Sequence, residues 1–260
     1  METVTRADVV ATEPLIRPYL RRTPTVELDR SELGLAPGRL VLKLEQLQHT
    51  GSFKPRGAFA NVLSRDPRPG SIVAASGGNH GAAVAHVAQV LGIPAMIFVP
   101  EISNPAKVAR IRSYGAEPVL VGQTYGEALD ASREWARGRD AAEVHAYDAR
   151  ETVMGAGSLA LELQEQAPEV GTVVAAIGGG GLLAGVAAGH PVDAPTGSVA
   201  IDSLAPREVG EHPFAVLHDH GVEAALVSDE EILAAQRTLW ERLRLVAVVV
   251  SGANTTAVAF

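Results

Sequence analysis

The sequence predicts an α/β protein built on parallel strands with helices covering their faces. Three observations lead there. From residue 71 onward, short apolar runs alternate with helix-period segments, the pattern of strand–helix–strand units. Two such runs lead straight into glycine-rich turns, Ser76-Gly77-Gly78 and Gly178-Gly179-Gly180-Gly181. The 260 residues are 47% apolar and 20% charged, with 26 glycines, which allows a sizeable core and is unlike a disordered chain.

The elements follow in order. Thr5 reads as an N-cap with Asp8 three residues on, opening a helix through Val9, Val10 and Leu15 that Pro18 ends or kinks. Val41 to Glu45 reads as a strand. Pro55 fits a first helical turn, because its fixed φ suits that position and its missing N–H costs nothing there, so Lys54 is expected at the cap. Ile72–Ala75, Ala95–Val99, Pro118–Val121 and Glu143–His145 read as strands. Between them lie helices Ala82–Leu91 (ended by Gly92), Asn104–Tyr114 (ended by Gly115) and Tyr125–Arg137. A helix over Thr152–Gln166, a strand over Thr172–Ile177 and a helix over Leu182–Ala188 come next. Ser228 to Glu231 is a capping box opening an amphipathic helix through Leu245, and Val246–Val250 is a last buried strand. Two junctions are short. After Ala188 the chain is loop to Gly197, leaving only Val199-Ala200-Ile201 as a returning strand, and Leu245 passes almost directly into Val246.

Composition excludes several classes. The net charge is -8 with no long basic run, which argues against nucleic acid or an anionic membrane as partner. Cysteine is absent, so there is no disulfide, thiolate nucleophile or cysteine zinc site, as suits a cytoplasmic protein. The polar start Met1-Glu2-Thr3-Val4-Thr5 is not expected to be a signal peptide, and no run of about 18 apolar residues reads as a membrane span. His212, His218 and His220 match no zinc spacing and read as a solvated loop, so no metal site is expected. His86 reads as a satisfied core histidine.

Four motifs carry chemistry. Lys54, in Ser52-Phe53-Lys54-Pro55, sits at a helix start, where positive potential disfavours the protonated amine; a solvated lysine would look the same. Ser76 to Gly81 forms a strand-to-helix turn whose glycines admit backbone N–H groups to an anion such as a carboxylate, with Asn79 beside it; the plain alternative is a tight turn capped by Asn79. The tetraglycine from Gly178 suits backbone approach to a phosphate. Gly179-x-Gly181-x-x-Ala184 matches only a loose dinucleotide fingerprint, because loop precedes the strand that carries Asp202 where a helix should run, and a P-loop lysine is missing. Ser251-Gly252-Ala253-Asn254 ends a strand where a serine can meet a heterocyclic nitrogen, or simply turn.

Together with Gly155-Ala156-Gly157-Ser158, these motifs in this order make the chain resemble the fold-type II pyridoxal-phosphate enzymes, specifically the serine/threonine dehydratase and serine racemase branch. The resemblance implies two parallel-sheet, helix-flanked domains of tryptophan synthase β-like architecture: residues 1–66 with 149–260 as a large cofactor-binding domain, and 67–148 as a small substrate-binding domain. It implies pyridoxal 5'-phosphate as cofactor, held by Lys54 as a Schiff base. Phe53 would pack on its ring, Asn79 would bond its 3-hydroxyl, Gly178, Gly179, Gly180, Gly181 and Leu182 would hold its phosphate, and Ser251 would face its pyridine nitrogen. Ser76, Gly77, Gly78, Asn79 and His80 would bind the substrate carboxylate, and Tyr147 is a candidate pocket wall. A hydroxyl at Ser251 gives a milder electron sink than an acid, which suits β-elimination. The implied activity is an L-threonine/L-serine ammonia-lyase that removes the Cα proton, expels the β-hydroxyl and yields a 2-keto acid and ammonia.

Two alternatives stand beside it. Serine racemase would need a second acid/base on the opposite face, and Gly77 has no proton to give there. A degenerate pyridoxal-phosphate binding protein without turnover is raised by the two short junctions, where a cation-binding strand–helix unit and a Glu-Pro-x-Gly segment of the family are missing. A cytoplasmic homodimer acting on a small amino acid, without an allosteric domain, is expected.

Overall fold

The computed structural model describes residues 3–189, 209–222 and 228–243. The expectations for residues 199–202, 246–250 and 251–254, Ser251 included, fall outside them.

Helix α1 (Arg6–Ile16) starts at the expected capping box, where the Thr5 N–H donates to the Asp8 carboxylate at 2.8 Å. A 3₁₀ turn through Pro18 ends it. β1 (Thr25–Asp29), not foreseen, pairs antiparallel with β2 (Arg39–Lys43), so that Thr25 faces Lys43 and Asp29 faces Arg39. Glu27 and Asp29 on the solvent face of β1 mask its apolar alternation. Helix α2 (Lys54–Leu63) follows, and Lys54 is its first residue rather than its cap. Phe53 already has helical angles (φ -62°, ψ -16°) and takes the cap position, moving the start one residue earlier.

The sheet comprises β3 (Ser71–Ala75), β4 (Ala95–Val99), β5 (Glu117–Leu120) and β6 (Ala141–Glu143), all parallel in the order β5-β4-β3-β6. Its crossovers are α3 (Asn79–Leu91), α4 (Pro105–Ser113) and α5 (Tyr125–Ala136). The two-residue period of the strands divides the core. Ile72, Ala74, Ile97 and Val99 face a cluster with Phe59, Val84, Val87 and Ile111, while Val73, Ala75 and Phe98 face Ala128 of α5 on the other side. β6 lies two residues before its expected place because its register is set by β3, with Ser71 opposite Ala141; the Val144 N–H extends the ladder to Val73 O at 2.9 Å.

α6 (Arg150–Gln166) and α7 (Gly181–Gly189) cross closely through small residues. Two sequence expectations fail in this half. Residues 172–177 form no strand: they have no ladder partner among the described residues, and Val174 is 64% exposed. A parallel strand exists only by virtue of its neighbours. The histidine segment is not loop but α8 (Glu211–Asp219), which carries His212 and His218, with His220 at its C-cap. Its apolar face is short, only Pro213 and Val216 being buried, which hid it from the periodicity. α9 (Asp229–Leu243) opens at the expected Ser228 box, where the Ser228 N–H donates to Glu231 at 2.6 Å. Among the described residues no helix is long and apolar enough to cross a membrane.

Gly185 measures how tight the crossing is. A Cβ there would lie 2.6 Å from Gly157 N and 2.7 Å from Val153 O, backbone atoms that cannot swing aside. Gly185→Ala is expected to destabilise the fold by about 1–3 kcal/mol, read as a lower urea midpoint.

Candidate active site

Lys54 points inward from the start of α2. Its Nζ donates to Ala146 O at 2.8 Å and lies 5.0 Å from the centre of the Phe53 ring. The side chain as a whole is half-buried, but the amine sits deep enough that burial pulls its pKa down to about 8. Desolvation of the charged form is the cause. The preceding turn is unusual: Thr50 has φ +59°, and the Thr50 and Ser52 hydroxyl oxygens are buried without a hydrogen-bond partner among the described residues. Arg110 of α4 donates to Thr50 O and ties the turn to the sheet side.

The turn after β3 comes to the same place. Ser76 Oγ accepts from the Gly78 N–H at 3.1 Å, so this hydroxyl shapes the turn. Gly78 is the cap of α3 and Asn79 its first residue. His80 is buried, and its Nε2 donates to Val144 O at 2.7 Å, a carbonyl that can only accept. Burial first, and the Lys54 charge second, pull its pKa down to about 3, so the imidazole is neutral. Lys54 and His80 thus both end on residues 144–146, the segment after β6. His86 departs from expectation: its ring packs against His49, Phe59 and Tyr114, but its Nδ1 is buried without a hydrogen-bond partner among the described residues.

Tyr147 continues that segment onto the tetraglycine. A Cβ on Gly179 would fall less than 3.0 Å from the Tyr147 ring, so only glycine lets the ring lie there. Gly180 has φ +87° and turns the chain into α7, whose first-turn N–H groups face outward from its start. The α8 end closes over this loop: Val209 and Pro213 crowd Gly180, the Gly210 N–H donates to Gly179 O at 3.2 Å, and the His212 N–H donates to Asp148 Oδ1 at 2.9 Å. Leu182 is buried on α7.

Beneath Lys54 lies a network that sequence reasoning missed. Arg56 is fully buried and donates to Glu45 through Nε and Nη2, both at 2.8 Å, to Glu162 at 2.9 and 3.0 Å, and to Ser158 Oγ at 3.1 Å. Lys43 bonds Glu162 at 2.8 Å, Thr23 O at 2.7 Å and Gln166 at 2.8 Å. Two cations and two carboxylates balance. Burial pushes Glu162 up, but Arg56 and then Lys43 more than reverse this and hold it below the usual carboxylate value. Lys43 is pulled down, because burial outweighs its attraction to Glu162. The available signal was the pair Arg56 and Glu162, each on an otherwise apolar or small-residue helix face.

A family described as pyridoxal-phosphate dependent enzyme matches residues 16–190, more than half of the chain. The chain belongs to this family. Among the members it is similar to an L-threonine ammonia-lyase of Geobacter sulfurreducens, 33% identical over 94% of this chain and 67% of the relative. It is also similar to a catabolic L-threonine dehydratase of Staphylococcus aureus, 31% identical over 98% of this chain and 82% of the relative. That alignment is 289 residues long against a chain of 260, so the relative carries residues with no counterpart here. The solved structure of a T.th. threonine deaminase superposes with a TM-score of 0.89 at 30% identity, covering 98% of this chain and all of that one. Maize serine racemase gives the same TM-score at 24% identity, covering 98% of this chain and 95% of that chain, and shares the fold. This pyridoxal-phosphate dependent family accounts for the α/β architecture and the parallel sheet.

The buried network predicts two outcomes. Arg56→Met leaves Glu45 and Glu162 with Lys43 as the one cation of the network and is expected to cost about 3–5 kcal/mol of stability in urea unfolding. A carboxyl held below its unfolded value stabilises above that value and loses the contribution as pH falls through the folded one. Stability should therefore fall as pH drops below about 4, and Glu162→Gln should flatten that fall.

Proposed function

We propose that the protein is a pyridoxal-phosphate-dependent ammonia-lyase that converts L-threonine and L-serine to 2-keto acids and ammonia. The observation that carries this reading is the single segment 144–148, which accepts from Lys54 and His80 and lies on the tetraglycine through Tyr147. It brings an amine of lowered pKa, an anion turn and a phosphate-type loop to one place. Relatives of 31–33% identity, named L-threonine ammonia-lyase and L-threonine dehydratase, support the activity on threonine.

The residues fit the cofactor. Lys54 supplies an amine whose lowered pKa of about 8 frees it to attack an aldehyde at a lower pH than an ordinary lysine, with Phe53 packing beside it. Gly178 to Gly181 with the Leu182 N–H, at the start of α7, suit its phosphate. Asn79 is assigned to its 3-hydroxyl, and Ser251 to its ring nitrogen. The bound cofactor supplies the electron sink that makes the substrate Cα–H acidic. The chain's own groups do the rest. The turn Ser76–His80 binds the carboxylate through backbone N–H groups and sets the Cα–H direction. The Lys54 amine would take the Cα proton on Nζ. Tyr147 and the α8 end cover the glycine loop against water.

We assign residues 1–66 with 149–260 to a cofactor-binding domain and 67–148 to a substrate domain; the four-stranded sheet, which lies within 71–143, supports the division. A cytoplasmic homodimer is part of the same reading, and light scattering tests the assembly. A second reading, cofactor binding without turnover, is favoured by one fact, the alignment longer than the chain.

Keto-acid release from L-threonine and L-serine decides between the two, and Lys54→Ala is expected to abolish it. Borohydride treatment of the loaded protein should leave the cofactor on the peptide containing Lys54; label elsewhere refutes the assignment. The amine is protonated below its pKa of about 8 and free above it. Cofactor capture at limiting concentration should therefore speed up as pH rises through 8 and then level off.

A further inference from the structure

Gly77 and Ser103 meet where β3 and β4 end. The strands are parallel neighbours, and the ladder runs past them through the Ser76 N–H, which donates to Phe98 O at 2.9 Å. Their carboxyl-end loops therefore lie side by side. A Cβ placed on Gly77 would fall less than 3.0 Å from Ser103 Oγ, 2.9 Å from Ser103 Cβ and 3.0 Å from Val99 Cγ1. Only a residue without a side chain at 77 lets the Ser103 hydroxyl come so near that backbone.

The loop that carries Ser103 is pinned on both sides. The Ser103 N–H donates to Pro100 O at 2.9 Å, and the Glu101 N–H donates to Gly122 O at 2.9 Å. Asn104 then caps α4, its Oδ1 accepting from the Ala106 N–H at 2.8 Å. Ser103 is half-buried, so its hydroxyl is neither sealed in the core nor free in solvent. Ser76, by contrast, has its Oγ engaged with the Gly78 N–H. A hydroxyl is thus delivered to the 76–80 turn from the neighbouring strand, at the residue where the turn itself has no side chain.

We propose that Ser103 is a substrate-binding residue, its hydroxyl admitted by Gly77 and donating to the carboxylate of the amino acid held at the 76–80 turn. This rests on the carboxylate reading of that turn given above. A hydroxyl donating to a charged acceptor gives a stronger bond than one between neutral groups. Gly77 and Ser103 then act as one unit, the first supplying room and the second the donor.

The test separates binding from turnover. The cofactor-loaded full chain is titrated with L-alanine, which has no β-hydroxyl to expel, and with L-alaninamide, which keeps the amine but has no carboxylate. The change in cofactor absorbance gives each affinity. Ser103→Ala is expected to weaken L-alanine about tenfold and L-alaninamide by less than about twofold. Equal weakening of the two, or unchanged affinity for L-alanine, overturns the proposal and makes Ser103 a packing residue. Failure of the ammonia-lyase reading shows separately, as absence of keto acid from the unaltered chain with L-threonine. The two titrations read Ser103 whether or not turnover occurs.

Discussion

The Arg56 guanidinium, sealed from water, ties four segments together: β2 through Lys43 and the shared Glu162, the turn before α2 through Glu45, α2 itself, and α6 through Glu162 and Ser158. Two residues away along α2 is Lys54. The desolvation cost of burying two cations and two carboxylates is several kcal/mol per ion, so the network is a poor source of stability by itself. What it does is geometric. A bidentate guanidinium fixes direction as well as distance, and each partner is bound by at least one further group: Glu45 by Thr23, Glu162 by Lys43. The start of α2 is therefore held against α6 in a single rotation, and Lys54 leaves it in a single direction.

α6 is the reference for both halves of the site. Its Gly155 lets Arg56 O of α2 approach, and a Cβ there would lie 2.6 Å from Ala60 Cβ. Its Gly157 does the same for α7, where a Cβ would lie 2.8 Å from Gly185 O. Both glycines stand where neighbouring helices come near backbone contact. The lysine helix and the glycine-loop helix are thus both placed from one rigid element. The start of α6 also follows directly on residues 144–148, on which Lys54 and His80 end.

Most of the sheet and its crossovers was legible in the sequence. The strand at Ala95–Val99 falls where the apolar run predicts it, and the boxes at Thr5 and Ser228 mark true helix starts. These are local signals, and they survive because tertiary contacts agree with them. The failures are non-local. β1 needed its partner β2 to be recognised, β6 takes its register from β3, and residues 172–177 have no ladder partner among the described residues. α8 is stabilised by docking on Gly180 rather than by its own periodicity. In the site, Lys54, the 76–80 turn and the tetraglycine could be named because glycine runs and a lysine followed by proline mark local turns and helix starts, and together in this order they resemble a known family. Arg56, Glu45 and Glu162 could not, since nothing in their spacing says that three charged residues from separate elements converge in the core. Ser103 was invisible for the same reason, as it lies 26 residues from Gly77 in the sequence.

His80 lends the turn a character that its position does not suggest. With a pKa near 3 it carries no charge at any physiological pH, and its proton is committed to a carbonyl. The chain as a whole is negative, at -8. In the proposed reading, in which the 76–80 turn takes a carboxylate, His80 itself offers no opposite charge to draw it from a distance. In that reading the turn acts through oriented backbone dipoles, which work within the last few ångströms and are little screened by salt. Discrimination by the turn, so read, depends on shape before it depends on the charge of His80.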